Sequence, residues 1–217
     1  MNNDETETWD ADPESLMALE AEVPILNWLK SFISEIVRAD WYMQVGENMH
    51  DDLRNFCEHY LSELGFPDAD VAIIPDWDDA IYTARSMDMN SEAWETEEQL
   101  RAGLTQDALQ VVSAEGLQIL LTHLAAELTE PLREAAEEAL SLTDEPSDDI
   151  IELLIGAGQQ AAYGAILALA AYQANASLAG EEMDIDALQT NPVFMKYRLF
   201  AMGRWPVSIT GRSFNLF

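Results

Sequence analysis

The chain has 217 residues, enough for one well-buried core, and its hydrophobic fraction of 48% is ordinary for a globular protein, which excludes wholesale disorder. Its 41 Asp and Glu residues against 10 Lys and Arg give a formal net charge of -31, which disfavours direct binding to nucleic acid or anionic membranes. The single cysteine, Cys57, excludes an intramolecular disulfide and favours a reducing compartment.

Residues 1–20 are acidic and polar, with neither the basic nor the apolar region of a signal peptide. We expect them to form a poorly ordered arm, followed by a single helical domain over residues 21–217. The absence of an export signal in this stretch, together with the lone cysteine, predicts a cytoplasmic protein.

Apolar residues recur at helical spacing from Pro24 onward and again from Met49 to Leu64. These two runs predict two amphipathic helices. The stretch 66–76 is rich in Pro and Asp and is predicted as a loop with one short apolar run. Asp76 is a candidate cap for the helix that follows.

The middle of the chain carries three candidate helix starts. Thr96 and Gln99 have the spacing of a capping box, and Thr105 precedes a long run with a broad apolar face. Thr129 and Pro131 form a further start signal, because Pro is favoured in a first helical turn. The sequence therefore predicts separate helices beginning at these points.

From Leu153 to Ala179 the chain carries no charged side chain and no proline, but many Ala, Leu and Gly residues. Apolar residues run around most of the circumference, which indicates a central helix over about residues 150–178 that is buried among the others. Its length would also suffice for a membrane span. Weak hydrophobicity and acidic flanks favour a core helix instead.

The C-terminal part changes its period. Asn191 and Pro192 form a cap pair for a last helix, and beyond Pro206 the apolar residues alternate as they do in strands. Gly211 and Arg212 suit a two-residue turn, so residues 206–217 are predicted to form a small β-hairpin. Because an isolated hairpin is marginal in water, it should pack on the body or join another protein's sheet. The predicted fold is mainly α, a multi-helix bundle around the central helix.

After Asp186 the only charged residues are basic, and they lie among aromatic residues: Lys196, Arg198, Arg204 and Arg212. This tail has a charge of +4, and the remainder has -35. Such a tail could bind single-stranded nucleic acid or dock on the protein's own acidic helices. We favour self-docking, because the remainder repels any incoming polyanion.

The excess of carboxylates has two interpretations, a salt-adapted or solubilising surface and a surface that binds a basic partner. The leading functional hypothesis is a non-catalytic, acidic helical protein that engages a basic protein partner, as an inhibitor, immunity protein, chaperone or adaptor does. Trp94 is the tryptophan expected to be most exposed, among acids, as an interface anchor. The residues predicted to bind the partner are Trp94, Glu95, Glu97, Glu98, Glu134, Glu137 and Glu138.

Two alternatives stay open. One is an enzyme with a divalent-metal site in the helices, because Glu47 and His50 have Glu-x-x-His spacing and His123 lies one turn from Glu127. The other is a DNA mimic that blocks nucleic-acid-binding proteins. No cofactor is expected, and the oligomeric state is left open.

Overall fold

A computed structural model of the protein describes residues 25–141 and 148–217, with side chains from Lys30 onward in the first helix. The predicted N-terminal arm lies outside the described residues. Residues 142–147, which hold most of the predicted break before the central helix, lie outside them as well.

The described residues form eight helices and a small three-stranded sheet, in agreement with the predicted mainly α fold. In chain order the elements are α1 (Ile25–Ile36), α2 (Asp51–Leu64), β1 (Asp70–Ile73), α3 (Trp77–Arg85), α4 (Glu92–Ala108), α5 (Ala114–Leu140), α6 (Asp148–Ala179), α7 (Ile185–Thr190), α8 (Pro192–Ala201), β2 (Pro206–Thr210) and β3 (Ser213–Leu216).

The predicted central helix is confirmed as α6, which packs chiefly against α4, α5 and α8. Small residues allow this close packing. A Cβ added to Gly164 would lie 2.6 Å from Cγ1 of Val193 on α8, and one added to Gly158 would lie 2.6 Å from Cδ2 of Leu132 on α5. The neighbouring helices therefore approach α6 where its side chains are smallest.

By length and composition α6 could cross a membrane, and it is the one such helix in the described residues. However, 67% of its most apolar 18-residue window is buried inside the protein. This burial is consistent with the core helix of a soluble protein, as the sequence predicted.

The predicted helix start at Thr129 and Pro131 is wrong, because α5 runs without a break from Ala114 to Leu140 with Pro131 inside it. Proline removes one backbone hydrogen bond from a helix interior. The helix continues because Leu128 and Leu132, on either side of the proline, are fully buried in the core. Tertiary packing outweighs the local signal here.

The predicted starts at Thr96 and Thr105 are also wrong, since both residues lie inside α4. Ser91 caps α4 by accepting a hydrogen bond from the Trp94 backbone NH, and Ser113 caps α5 in the same way. Asp76 caps α3 as predicted. Serine and aspartate oxygens satisfy the free NH groups of a first helical turn.

The predicted C-terminal hairpin is confirmed, with β2 and β3 antiparallel and Gly211 at φ 60° in the turn. The structure corrects the predicted loop over 66–76, because residues 70–73 form β1. This strand pairs in parallel with β3, with Val71 opposite Phe214. The hairpin thus joins a strand of its own chain, in the order β1-β3-β2.

Candidate functional site

The surface of the described chain is almost uniformly acidic. Every Asp and Glu in it is exposed except Glu97 and Asp107. The exposed basic residues are Lys30, Arg38, Arg54, Arg85 and Arg212. Most carboxylates therefore have no cation beside them at the surface.

A long run of exposed carboxylates lies on the outer side of α5. Each of its exposed acidic residues lies three or four positions from another member, so they share one face of the helix: Glu127, Glu130, Glu134, Glu137 and Glu138. At 1.5 Å per residue this run is about 16 Å long. Three of the seven residues predicted to bind a partner, Glu134, Glu137 and Glu138, belong to it.

The N-terminus of α6 extends this run, because its first turns pack beside the C-terminal half of α5. Arg133 of α5 donates a hydrogen bond of 2.7 Å to Glu152, which links the two helices side by side. Asp148 and Asp149 are exposed one turn before Glu152. We call Glu127, Glu130, Glu134, Glu137, Glu138, Asp148 and Asp149 together the acidic face.

The basic tail is docked on the protein itself, and the hydrogen bonds of Arg204 and Arg212 go to backbone carbonyls. Buried Arg204 donates to the carbonyls of Glu47, at 2.7 Å, and Asn48, at 3.3 Å. Arg212 donates to the carbonyl of Asp68. The expected docking is thus present, but these two arginines hold loops and do not offset the acidic face.

Glu97 is placed differently from its prediction as a surface contact, because it is 9% exposed. Its Oε1 accepts hydrogen bonds from the Tyr60 hydroxyl at 3.1 Å and from Lys196 Nζ at 2.9 Å. Lys196 also reaches Oε2 at 2.6 Å, and Arg101 lies 3.6 Å from that oxygen. The carboxylate therefore joins α2, α4 and α8, and it is not available to a partner.

Burial alone would raise the pKa of Glu97, but the charge and hydrogen bonds of Lys196, then Arg101 and Tyr60, bring it below the ordinary value. Burial and the neighbouring Glu97 carboxylate raise the pKa of Tyr60 well above its ordinary value. Glu97 is thus ionised and Tyr60 neutral at pH 7. With its oxygens already bonded, Glu97 acts as a clamp between helices and not as a free base.

Trp94 is half-buried and lies next to this cluster, with Arg101 stacked 5.8 Å from its ring centre. Together with Trp205 and Lys196 it lines a cavity of about 70 Å³. That is room for a few water molecules and below the range of about 300–1,000 Å³ typical of ligand sites. Glu95 and Glu98 are exposed, and Glu98 forms an ion pair with Arg101.

The residues predicted as metal ligands are not brought together. His50 is the N-cap of α2, where its Nδ1 accepts from the Leu53 backbone NH, and Glu47 precedes that helix. His123 and Glu127 are exposed on α5. Among the described residues there is no group of three or more His, Cys, Asp or Glu side chains that could hold a metal ion.

No protein-family model matches this sequence, and neither a curated protein nor a solved structure is significantly similar to it.

Sequence reasoning missed the partners of Glu97 and the role of Arg204. Lys196 lies 99 positions from Glu97, and Arg204 lies 157 positions from Glu47, so no local spacing connects them. One sequence feature did point to such contacts. After Asp186 all charged residues are basic, which indicated that the tail could pair with the acidic remainder of the chain.

Proposed function

We propose that this protein is a non-catalytic binding protein that engages a basic protein partner through the acidic face of α5 and α6. The observation that carries the proposal is the row of carboxylates on the outer side of α5, in which Arg133 is the one basic residue. Its Nη2 donates to Glu152 and its charge also acts on Glu130 and Glu137, so one cation is shared among several carboxylates and the row stays strongly negative. We place this activity in the cytoplasm.

Electrostatics supports a basic partner. Like charges one turn apart repel one another, so a helix that carries this row is less stable alone than with a cationic surface beside it. A complementary positive surface relieves this repulsion and accelerates encounter between the two proteins. A partner with Lys or Arg residues spread over about 16 Å would match the length of the row.

Because Trp94 is half-buried, we place the proposed partner contact on α5 and not on α4. Its ring is stacked against Arg101, and the neighbouring Glu97 faces inward. Glu95 and Glu98 remain exposed on α4. The α5 residues Glu134, Glu137 and Glu138 therefore carry the proposal, and Glu95 and Glu98 have a secondary place in it.

The test is affinity purification of the tagged full chain from an extract of its source cells, at about 0.05 M and about 0.5 M NaCl. Three forms are compared. The first is the wild type. The face variant carries Glu130→Gln, Glu134→Gln, Glu137→Gln and Glu138→Gln. The control variant loses the same number of exposed carboxylates elsewhere, at Glu58, Glu63, Glu181 and Glu182, each changed to Gln.

We expect the wild type and the control variant to retain the same basic protein at low salt, and the face variant to lose it. High salt should release it, because at this ionic strength charges more than several ångströms apart are screened. Retention by all three forms, or capture only of acidic or neutral proteins, would contradict the proposal. If the retained protein binds DNA and DNA displaces it, the partner is of the class that a DNA mimic blocks.

A further inference from the structure

A second, larger cavity lies on the other side of α8 from the Glu97 cluster. It has a volume of about 390 Å³ and is walled by α1, α7 and α8, with Leu169 of α6 contributing. This is within the range of about 300–1,000 Å³ that is typical of small-molecule sites. None of its residues belongs to the acidic face, so binding in this cavity is independent of the proposed function.

The interior of this cavity is mainly apolar. Phe32, Phe194 and Tyr197 pack against one another with ring centres 5.5 to 6.3 Å apart. Leu188 and Met183 line it from the other side. Because the three rings are in mutual contact, they form a continuous apolar wall and leave no gap between them for a cation.

Three polar groups at this cavity have no protein partner in the described chain. Glu35 and Arg198 both line it, yet neither forms a salt bridge with the other or with another described residue. Tyr197 is 5% exposed, and its hydroxyl forms no hydrogen bond with the described protein. Among the described residues the one buried side-chain polar atom without a hydrogen bond is Nε of Arg204, so the Tyr197 oxygen is accessible to solvent and free to bond to a ligand.

The opposite charges of Glu35 and Arg198 act on the same hydroxyl. Burial, followed by the Glu35 carboxylate, raises the pKa of Tyr197 to about 12, while Arg198 acts in the opposite direction. The hydroxyl is therefore a neutral donor at pH 7. Carboxylate, hydroxyl and guanidinium line the same cavity beside an apolar wall, which provides an acceptor for a cation and two donors for an anion.

We propose that this cavity binds a free α-amino acid with a large apolar side chain. The ligand ammonium pairs with Glu35, and its carboxylate accepts hydrogen bonds from Arg198 and the Tyr197 hydroxyl. The apolar side chain lies against Phe32 and Phe194. A zwitterion suits this protein better than a fatty acid does, because a chain of charge -31 repels a ligand with a net negative charge.

The test is isothermal titration of the purified full chain with L-phenylalanine and L-leucine up to about 10 mM, a range that covers millimolar affinity. Three related compounds each remove one charge: N-acetyl-L-phenylalanine and octanoate have no ammonium, and L-phenylalaninamide has no carboxylate. We expect saturable binding of the amino acids, and affinity at least about tenfold weaker for each of the three compounds, because each leaves one charged protein group unpaired.

Variants test the same groups from the protein side. Arg198→Met and Glu35→Gln should each weaken L-phenylalanine binding about tenfold, and Tyr197→Phe about threefold to tenfold, since that change removes a single hydroxyl and keeps the ring. Arg85→Met and Glu63→Gln change exposed residues of other helices and should leave affinity unchanged. Unfolding midpoints of all variants show whether they fold, and the three compounds test the wild type without any substitution.

Absence of saturable binding by both amino acids would overturn the proposal. Equal affinity for L-phenylalanine and octanoate would also overturn it, because Glu35 would then have no role. A dimer in solution that Arg198→Met dissociates would show that a second copy of the chain occupies the cavity, which likewise contradicts a small-molecule site.

Discussion

Glu97 and Glu134 are carboxylates on long helices, but their surroundings are opposite. Glu97 is nearly buried and bonded to Lys196 and Tyr60, with Arg101 beside it. Glu134 is exposed, with further carboxylates three and four residues away. The contrast shows that the buried carboxylate is neutralised by two cations, whereas the exposed row on α5 has Arg133 as its one basic residue. We therefore expect Glu97 to stabilise the fold, and the exposed row on α5 is the surface proposed to bind a partner.

The largest expected effect is at Glu97. Glu97→Ala should lower the free energy of unfolding by about 3 kcal/mol, because it leaves Lys196 partly buried without a counter-charge and removes the acceptor of the Tyr60 hydroxyl. Urea unfolding measures the change. Changing Glu97→Gln together with Lys196→Met should recover much of the loss, since neither charge is then left alone. A loss below about 0.5 kcal/mol for Glu97→Ala would show that the cluster does not stabilise the fold.

The next largest expected effect is the pH dependence of the stability that Glu97 contributes. The pKa of Glu97 is lower in the folded protein than its ordinary value of 4.5, so the folded state favours the ionised form. Its contribution is complete above pH 4.5 and is lost as the pH falls through the lower folded value. The stability difference between wild type and Glu97→Gln should therefore shrink below pH 4.5 in urea unfolding series. A constant difference down to pH 3 would contradict the lowered pKa.

Neutralising the acidic face should raise the free energy of unfolding, whereas removing the Glu97 carboxylate should lower it. The face variant with glutamine at positions 130, 134, 137 and 138 should be more stable than the wild type by about 1 kcal/mol at low salt. It loses several like-charge pairs, and glutamines replace acids near the C-terminus of α5. The gain should fade at about 1 M NaCl, where the Debye length is about 3 Å. A less stable face variant would instead favour a salt-adapted surface.

The smallest effect is expected one residue from Glu97. Glu98 is exposed and forms an ion pair with Arg101, so Glu98→Gln should change the free energy of unfolding by less than about 0.5 kcal/mol. Thermal or urea unfolding of Glu98→Gln beside Glu97→Gln gives a matched comparison on one turn of α4. Equal losses for the two variants would show that burial does not separate these neighbouring carboxylates.

The features that the sequence predicted correctly depend on local pattern. The uncharged run of α6, the Asn191 and Pro192 cap of α8 and the turn at Gly211 each follow from adjacent residues. β1 was missed because it has four residues and pairs with β3, more than 140 positions later in the chain. Pro131 was misinterpreted because buried leucines on both sides hold α5 together. In both cases the structure depends on contacts between residues far apart in the sequence, which local patterns do not reveal.

The site residues also divide into those that local spacing predicts and those that depend on distant contacts. The spacing of Glu134, Glu137 and Glu138 placed them on one exposed face of α5, which requires only helical geometry. Glu97 was grouped with surface acids because its neighbours Glu95 and Glu98 are exposed. Its burial depends on Lys196 and Tyr60, which lie on other helices. Glu35, Tyr197 and Arg198 likewise line one cavity only because α1 and α8 pack together.

The most direct test of the central claim is the affinity of the purified basic partner for the wild type, the face variant and the control variant, measured at increasing NaCl concentration. A partner bound through the acidic face should bind the wild type and the control variant equally and weaken steeply as salt rises. The face variant should bind at least about tenfold more weakly at low salt. Equal affinity for all three forms, or affinity that does not change with salt, would contradict the account.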